Sequence, residues 1–574
     1  MTSEESVEGG LAEPTELEPD QGSLALADPS DDHDRAEWEA AAAAVLRKAG
    51  RLGVDDADDL VWQNLAHTTL DGLSVTPLGT PDLLDGLATA GRPTRVGGWD
   101  VRTRPADREQ ALADLDTGAT SLWVDADADL RTLLDGVLFD LAPVVLDGTT
   151  PEMARVFLDL LTDVDPADGT NLGAEVSTSS TDVLVEIAEL ARGAGVLAAV
   201  VDGTVVHDRG ASDVQELAHA LAAAATYLRT LTGAGFSVAE AAGLLEFRLA
   251  ATDEQFPTIA KFRAARRSWA RMLELSESDD VPMRLHAVTS RPMMSKYDPW
   301  VNMLRTTVAT FGAGIGGADS ITVIPFDSPL GEPDAFGRRI ARNTSPLLLS
   351  ESHLGRVADP AGGAYAVERL TDDLALAAWE ELGRIESEGA AAFEERVAET
   401  VAARDAAVAT RQRPLTGLSE FPNLAESLPE RVSTGSTAVQ QAHVRRWGAA
   451  FEELRDQPAA SPVFLATMGS VADHTARAGF ATNVLAAGGV AVDGAGATDG
   501  VESLLEAYDG QQVVCLAGAD PAYAEWGADL VAALRDAGAR HVVVAGKADI
   551  GADDQCHAGM DALDFLRRTR EVLT

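Results

Sequence analysis

Between residues 95 and 330, short apolar runs alternate with longer amphipathic stretches. The runs are GWDVRTR, TSLWVDAD, APVVLDGTT, NLGAEVST, GVLAAVVDG, LEFRLAAT, PMRLHAVT and DSITVIPFD. Each has strand length and is bounded by turn-forming residues. Between most of them lie helical patterns such as VQELAHALAAAATYLRTLT and FPTIAKFRAARRSWARMLEL. Eight β/α units in succession predict a (β/α)8 TIM barrel, with an open doubly wound sheet as the alternative. From residue 461 a second α/β pattern begins. Its candidate strands are PVFLATM, GGVAV, QQVVCLAG and RHVVVAG, separated by Ala-rich helices, which predicts a small flavodoxin-like domain. Between the two patterns, TDDLALAAWEELGRIESEGAAAFEERVAETVAARDA reads as helices and leads into a Pro-containing connection.

The N-terminal stretch differs. Residues 1–34 are rich in Asp, Glu, Gly, Pro and Ser and poor in large apolar groups, so burial cannot offset their ordering entropy and a disordered acidic arm is predicted. Helical periodicity begins at AEWEAAAAAVLRKAG. The predicted organisation is an arm over 1–34, a barrel over 35–370, a helical linker over 371–460 and a flavodoxin-like domain over 461–574.

Composition narrows the function. At 574 residues the chain needs more than one core, and 46% hydrophobic residues supply them. No run approaches the eighteen apolar residues of a membrane span, and the acidic N-terminus lacks the features of a secretory signal. Two cysteines, Cys515 and Cys556, cannot build a disulfide framework or a four-thiolate metal site, which fits a reducing cytoplasm. The net charge of −47 disfavours nucleic acid and anionic bilayers as partners and reads as a solubility device.

Three local features invite chemical readings. FGAGIGGADS, with Gly312, Gly314, Gly316 and Gly317, superficially matches a dinucleotide loop, but it falls between a helix and a strand and reads as a turn. The basic cluster Lys261, Arg263, Arg266 and Arg267 reads as a solvated or interface helix face. Cys515 sits in a buried strand pattern and reads as an inert apolar residue.

The segments RLHAVTSRPMMSKYDPWVNMLRTTVATFGAGIGGADSITVIPFD and FGRRIARNTSPLLLSESHLGRVADPAGGAYAVERLT are long and specific. They resemble the end of the barrel in adenosylcobalamin-dependent methylmalonyl-CoA mutases. DGLSVTPLGTPDL, TRQRPLTGLSEFPN and the C-terminal domain extend the resemblance over nearly the whole chain. It implies a substrate barrel, a helical linker and a cobalamin-binding module, and a complex that interconverts (R)-methylmalonyl-CoA and succinyl-CoA by a radical mechanism.

Residue by residue, the pattern of the active chains is incomplete. In GRPTRVGGWDVRTRP, Trp99 and Arg102 match, but a Tyr/Thr/Met cluster is missing and Arg104 stands in place of a shielding tyrosine. In GTVVHDRGASDVQELAHAL, Val205 occupies the position of the family histidine, and His207 reads as a surface loop residue. In RLHAVTSR, Arg284, His286, Thr289 and Ser290 match as barrel architecture, while Val288 and Arg291 replace a glutamine and a glycine. The cobalamin signature Asp-x-His-x-x-Gly, Ser-x-Leu, Gly-Gly keeps only His474. Ala472 and Arg477 replace the aspartate and first glycine, VVCLAGADPAY has no serine after the strand, and Ala545 replaces a later glycine. Asp473 is adjacent, but sequence neighbours point in different directions. His474 is thus a relic or loop residue. The resemblance then implies a small, non-catalytic subunit, with adenosylcobalamin, acyl-CoA and the catalytic residues held by a large partner chain in a heterodimer. An independently active acyl-CoA mutase with divergent motifs is the alternative. A metallochaperone is disfavoured because no GxxxxGK[ST] loop occurs.

Overall fold

The structure, a computed structural model, describes residues 32–87, 92–93, 95–278, 281–432 and 442–573. Nearly all of the predicted acidic arm lies outside the described residues. Two compact units are present. The first comprises the described residues up to His67 together with Ser74–Pro77. Its helix α1 (Arg35–Lys48) starts at a capping box in which Asp34 and Glu37 satisfy each other's backbone N–H groups. Ala43 and Leu46 of α1 pack on Leu52 and Val61, and the rings of Trp38 and Trp62 lie 4.8 Å apart.

The second unit holds everything else. Its eight strands are β1 (Asp100–Thr103), β2 (Ser121–Asp125), β3 (Val144–Asp147), β4 (Asn171–Glu175), β5 (Leu197–Asp202), β6 (Leu245–Ala251), β7 (Leu285–Thr289) and β8 (Ser320–Thr322). Each falls within one of the eight runs named above. All neighbours are parallel, in chain order, and β8 closes on β1 through Ser320 opposite Asp100. The barrel is therefore a closed TIM barrel, and the open sheet is excluded. Both faces of its strands are covered, so polar residues in them are placed deliberately. In β6, Phe247 faces the outer layer, its ring 5.0 Å from that of Trp269, while the alternating Glu246 and Arg248 face the bore.

The helices that matter below are α2 (Thr204–Asp208), α3 (Asp213–Gly233), α4 (Gln255–Leu275), α5 (Pro299–Ile315), α6 (Ala335–Pro346), α7 (Tyr365–Glu388) and α8 (Ala390–Ala409). The glycine-rich segment corrects the sequence reading. Gly312 and Gly314 lie within α5, and the turn starts only at Gly316 and Gly317. Their role is close packing. A Cβ on Gly314 would stand 2.6 Å from the Trp99 ring, and one on Gly316 would stand 2.9 Å from Phe262. The run reads as a turn in sequence because glycines usually end helices, whereas here neighbouring side chains fill the space they leave.

The basic face of α4 is corrected as well. Lys261, Arg263 and Arg266 are buried, not solvated. Lys261 reaches Asp213 and Glu216, each at 2.7 Å; Arg263 reaches Glu368 at 2.8 Å; Arg267 pairs with Asp372. Helix α4 is sandwiched between the strands, α3 and α7; Lys261, Arg263 and Arg267 fasten it to α3 and α7, and Arg266 fastens it to Met283, Gly317 and Asp319 beside β7 and β8.

Residues 411–432 and 442–447 run over the C-terminal ends of the strands as a strap. Arg305 donates to the Thr416 carbonyl at 2.9 Å, Arg431 to Asp327 at 2.6 Å, and the Trp447 N–H to the Pro292 carbonyl at 2.9 Å. The C-terminal sheet follows, with strands β9 (Val463–Thr467), β10 (Val492–Gly494), β11 (Val513–Ala517), β12 (His541–Ala545) and β13 (Asp554–Cys556). Its order is β10-β9-β11-β12-β13, all parallel, a flavodoxin-like arrangement. The short, polar β13 was not legible as a strand, and β10 starts at the last residue of the GGVAV run.

Candidate functional site

Two places in this architecture are where such folds bind ligands: the bore and mouth of the barrel, and the switch point at the ends of β9 and β11. The bore is filled by ionised side chains. Arg102 of β1 donates to Glu246 of β6 at 2.7 Å, both buried. Arg248, two residues on, donates to Asp202 at 2.8 Å and Asp147 at 3.1 Å. Its guanidinium also lies 4.0 Å from the centroid of the Trp123 ring. Arg104, at the end of β1, lies 4.3 Å from the same ring and bonds Asp125 and Asp147.

His286 completes this layer. Arg248 Nε donates to its Nδ1 at 3.3 Å, so Nε2 carries the proton and donates to Thr322 Oγ1 at 2.8 Å. Burial, aided by Arg102 and Arg248, holds its pKa well below the usual histidine range, so the ring is neutral. Although burial opposes ionisation, Arg248 and Arg104 hold Asp147 below the usual carboxylate range. The result is a set of buried ion pairs gathered around the Trp123 ring where an axial channel would otherwise run.

His207 corresponds to no surface loop. It sits in the short helix α2, 3% exposed, with Nε2 2.7 Å from Ser290 Oγ. Its Nδ1 has no hydrogen-bond partner and lies 3.7 Å from Glu216. Burial and the Lys261 charge keep it neutral. The sequence reading failed because the loop that follows β5 folds inward. Among the matched residues of β7, Thr289 Oγ1 accepts the Ile324 N–H at 2.8 Å, and Arg284 bonds Asp168 at the opposite end of the barrel. Val205 is partly exposed on α2.

In the C-terminal domain, His474 lies in the first turn of helix α9 (Val471–Ala487), not in the loop before it, and is 7% exposed. Its Nδ1 has no hydrogen-bond partner. Asp473 does not supply one. Its carboxylate accepts from the backbone N–H of Ser470 at 2.9 Å and from the hydroxyl at 2.6 Å, closing a capping box. Arg477, one turn along, crosses the ends of β11 and β12. It donates to the Gly518 carbonyl at 2.6 Å and to Asp520 at 2.5 Å, and a Cβ on Gly546 would stand 3.5 Å from its guanidinium. Beneath it, Tyr523 Oη accepts the Gly518 N–H at 3.0 Å and donates to the Ala545 carbonyl at 2.8 Å. The cleft that glycines would leave open at these strand ends is occupied by Arg477 and Tyr523. Cys515 and Cys556 are free and buried, and burial pushes the Cys556 thiol up to about 12. Among the described residues, no group of three or more His, Cys, Asp or Glu side chains is arranged to hold a metal, and no helix is long and apolar enough to cross a membrane.

Sequence reading missed Trp123, Asp147, Asp202, Glu246, Arg248 and Tyr523. For the β6 pair a signal was present: LEFRLAA alternates charged and apolar residues within a strand that must be buried on both faces.

Comparison with known proteins agrees with this architecture. The family described as Methylmalonyl-CoA mutase matches residues 194–507. A methylmalonyl-CoA mutase small subunit from Streptomyces virginiae is 42% identical over 96% of this chain and 98% of its own length. A probable methylmalonyl-CoA mutase small subunit from Mycobacterium tuberculosis is 38% identical, covering 89% of this chain and 92% of its own. The methylmalonyl-CoA mutase small subunit of Propionibacterium freudenreichii subsp. shermanii is 35% identical over 89% and 90%. With a charge-filled TIM barrel, a flavodoxin-like domain and these relatives matched over nine tenths or more of their length, the chain belongs to the methylmalonyl-CoA mutase family.

Proposed function

We propose that this chain is the small, non-catalytic subunit of a heterodimeric, adenosylcobalamin-dependent methylmalonyl-CoA mutase. Its larger partner holds acyl-CoA, cobalamin and the reacting groups. The complex isomerises (R)-methylmalonyl-CoA and succinyl-CoA in the cytoplasm, where the two free thiols are at home.

The observation that carries the reading is the filled bore. Arg102, Arg104, Arg248 and Trp123 occupy the axis along which a substrate would pass, and their carboxylate partners are engaged. A ligand entering there would have to break several buried ion pairs, each strongly unfavourable to leave half-made.

The residues of the C-terminal domain do not fit the family's cofactor. A lower ligand needs a histidine oriented through its second nitrogen by a carboxylate. The Nδ1 of His474 has no such partner, Asp473 is committed to the helix cap, and Arg477 with Tyr523 takes up the cleft. No chemical step is assigned to this chain.

Equilibrium dialysis with adenosylcobalamin tests the reading. The chain alone should bind none, the co-purified complex about one per heterodimer, and His474→Ala should leave both values unchanged. Tight binding by the chain alone that disappears in H474A would overturn the proposal in favour of an independently active mutase.

A further inference from the structure

Beside the filled bore, a cavity of about 230 Å³ opens at the barrel mouth. It lies between the ends of β1 and β8, the segment 328–342 and the end of the strap at Val444 and Arg446. Among the described residues, six arginines line it: Arg102, Arg104, Arg291, Arg338, Arg342 and Arg446. Three carboxylates, Asp114, Asp125 and Glu332, stand against them. Among the described residues, five of the six pair with carboxylates, Arg102 with Glu246, Arg104 with Asp125 and Asp147, Arg291 with Asp208, Arg342 with Asp114 and Arg446 with Glu452, so the recess gathers ion-paired guanidinium groups rather than bare cations. They come from separate parts of the chain: β1, the loop after β7, helix α6 and the strap.

Among the described residues, Arg291, Arg338 and Arg446 are each fixed by one partner and retain N–H donors. Arg342 Nη1 bonds Asp114 at 2.7 Å and its Nε bonds the Thr117 carbonyl at 3.1 Å. Arg446 uses Nε and Nη2 on Glu452, at 3.0 and 2.7 Å. Arg291 uses Nη1 on Asp208 at 2.9 Å. Arg338 donates to the Pro333 carbonyl at 2.6 Å and has no carboxylate partner among the described residues. A planar guanidinium held by one edge presents its other edge in a fork that matches a carboxylate or phosphate.

We propose that this cavity binds a compact, doubly charged oxyanion, either a phosphate or a small dicarboxylate. The volume sets the size class, since drug-sized ligands take roughly 300–1,000 Å³. A coenzyme-sized molecule does not fit. The site opens at the mouth of the bore, where Arg102 and Arg104 border both, and it does not depend on the subunit role proposed above. Because Arg446 belongs to the strap and Arg338 to α6, an anion held between them ties the strap to the barrel mouth.

Isothermal titration calorimetry on the full-length chain tests this, with inorganic phosphate and maleate titrated separately against a chloride control. The expected result is one site per chain for one or both dianions. Arg338→Gln and Arg446→Gln should each weaken binding by about tenfold or more, as loss of a charged hydrogen bond does. Arg229→Gln, whose side chain pairs with Glu386 far from the cavity, should not change it. The two variants lie on different elements, and circular dichroism establishes that each is folded. Preference for phosphate or maleate identifies the ligand class. No binding of either dianion by the wild-type chain, or equal affinity in R338Q and R446Q, overturns the proposal.

Discussion

Arg102 and Glu246 face each other across the inside of the barrel, 2.7 Å apart and 2% and 0% exposed, respectively. They sit on strands that are not neighbours, β1 and β6, so the pair spans the bore rather than following the sheet. The second oxygen of Glu246 has no hydrogen-bond partner, and His286 lies 3.9 Å from the first. Removing one member therefore leaves an uncompensated buried charge. Arg102→Met and Glu246→Leu should each lower stability by about 3–5 kcal/mol, whereas the double replacement should lose much less than the sum. Urea titrations of the four proteins give the coupling. Additive single effects would show that the pair is not a unit.

The sequence made the strands legible and left this pair invisible. All eight barrel strands lie inside runs that a reader can mark by apolar content. Which charged residues meet depends on barrel closure, and that is a long-range property with no local signal. His207 illustrates the same limit, since a polar stretch after a strand reads as surface until Ser290 is placed 2.7 Å away. By contrast, the departures at Arg104, Ala472 and Arg477 were visible directly. What the sequence did not disclose was that Arg104 and Arg477 are ordered, partnered side chains filling the spaces in question.

Gly314 tests the close packing of α5. Alanine is favoured over glycine in a helix interior by up to about 1 kcal/mol. Here the added methyl would stand 2.6 Å from the ring of Trp99, which is held by its Nε1–H to Ser345 Oγ at 3.0 Å. The ring has no room to retreat, so G314A should destabilise by about 1–3 kcal/mol. Thermal denaturation decides the sign, and a raised melting temperature would contradict the packing described.

Asp71 gives a pH signature. Burial, partly countered by its Ser212 hydrogen bond and reinforced by Asp213, pushes its carboxyl up to about 6 from an ordinary 3.8. A raised carboxylate pKa means that the folded form holds a proton the unfolded chain has released. Stability is therefore lost as pH rises from about 4 to about 6, and the loss is complete above that window. Asp71→Asn is neutral throughout. Its stability relative to wild type should rise by about 2 kcal/mol between pH 4 and pH 7. Denaturant midpoints across that range measure it, and a flat difference would remove Asp71 from the account.

Tyr523 holds the ends of two strands in the C-terminal domain through Gly518 and Ala545. Phenylalanine keeps the ring and leaves a buried N–H and carbonyl unpaired, at about 1–3 kcal/mol. A lowered urea midpoint for Y523F is expected, with accelerated amide exchange at Gly518. Unchanged exchange there would mean that water replaces the hydroxyl.

The charged filling of the barrel also constrains how this chain can change. Converting Arg248 to a smaller residue would strip Asp202 and Asp147 of a shared cation, and replacing those aspartates first would strand Arg248. Each single step toward an open bore passes through a protein with an unpaired buried charge. Once such a core is assembled, the route back to an open channel lies uphill at every first move, and the closed bore becomes self-preserving.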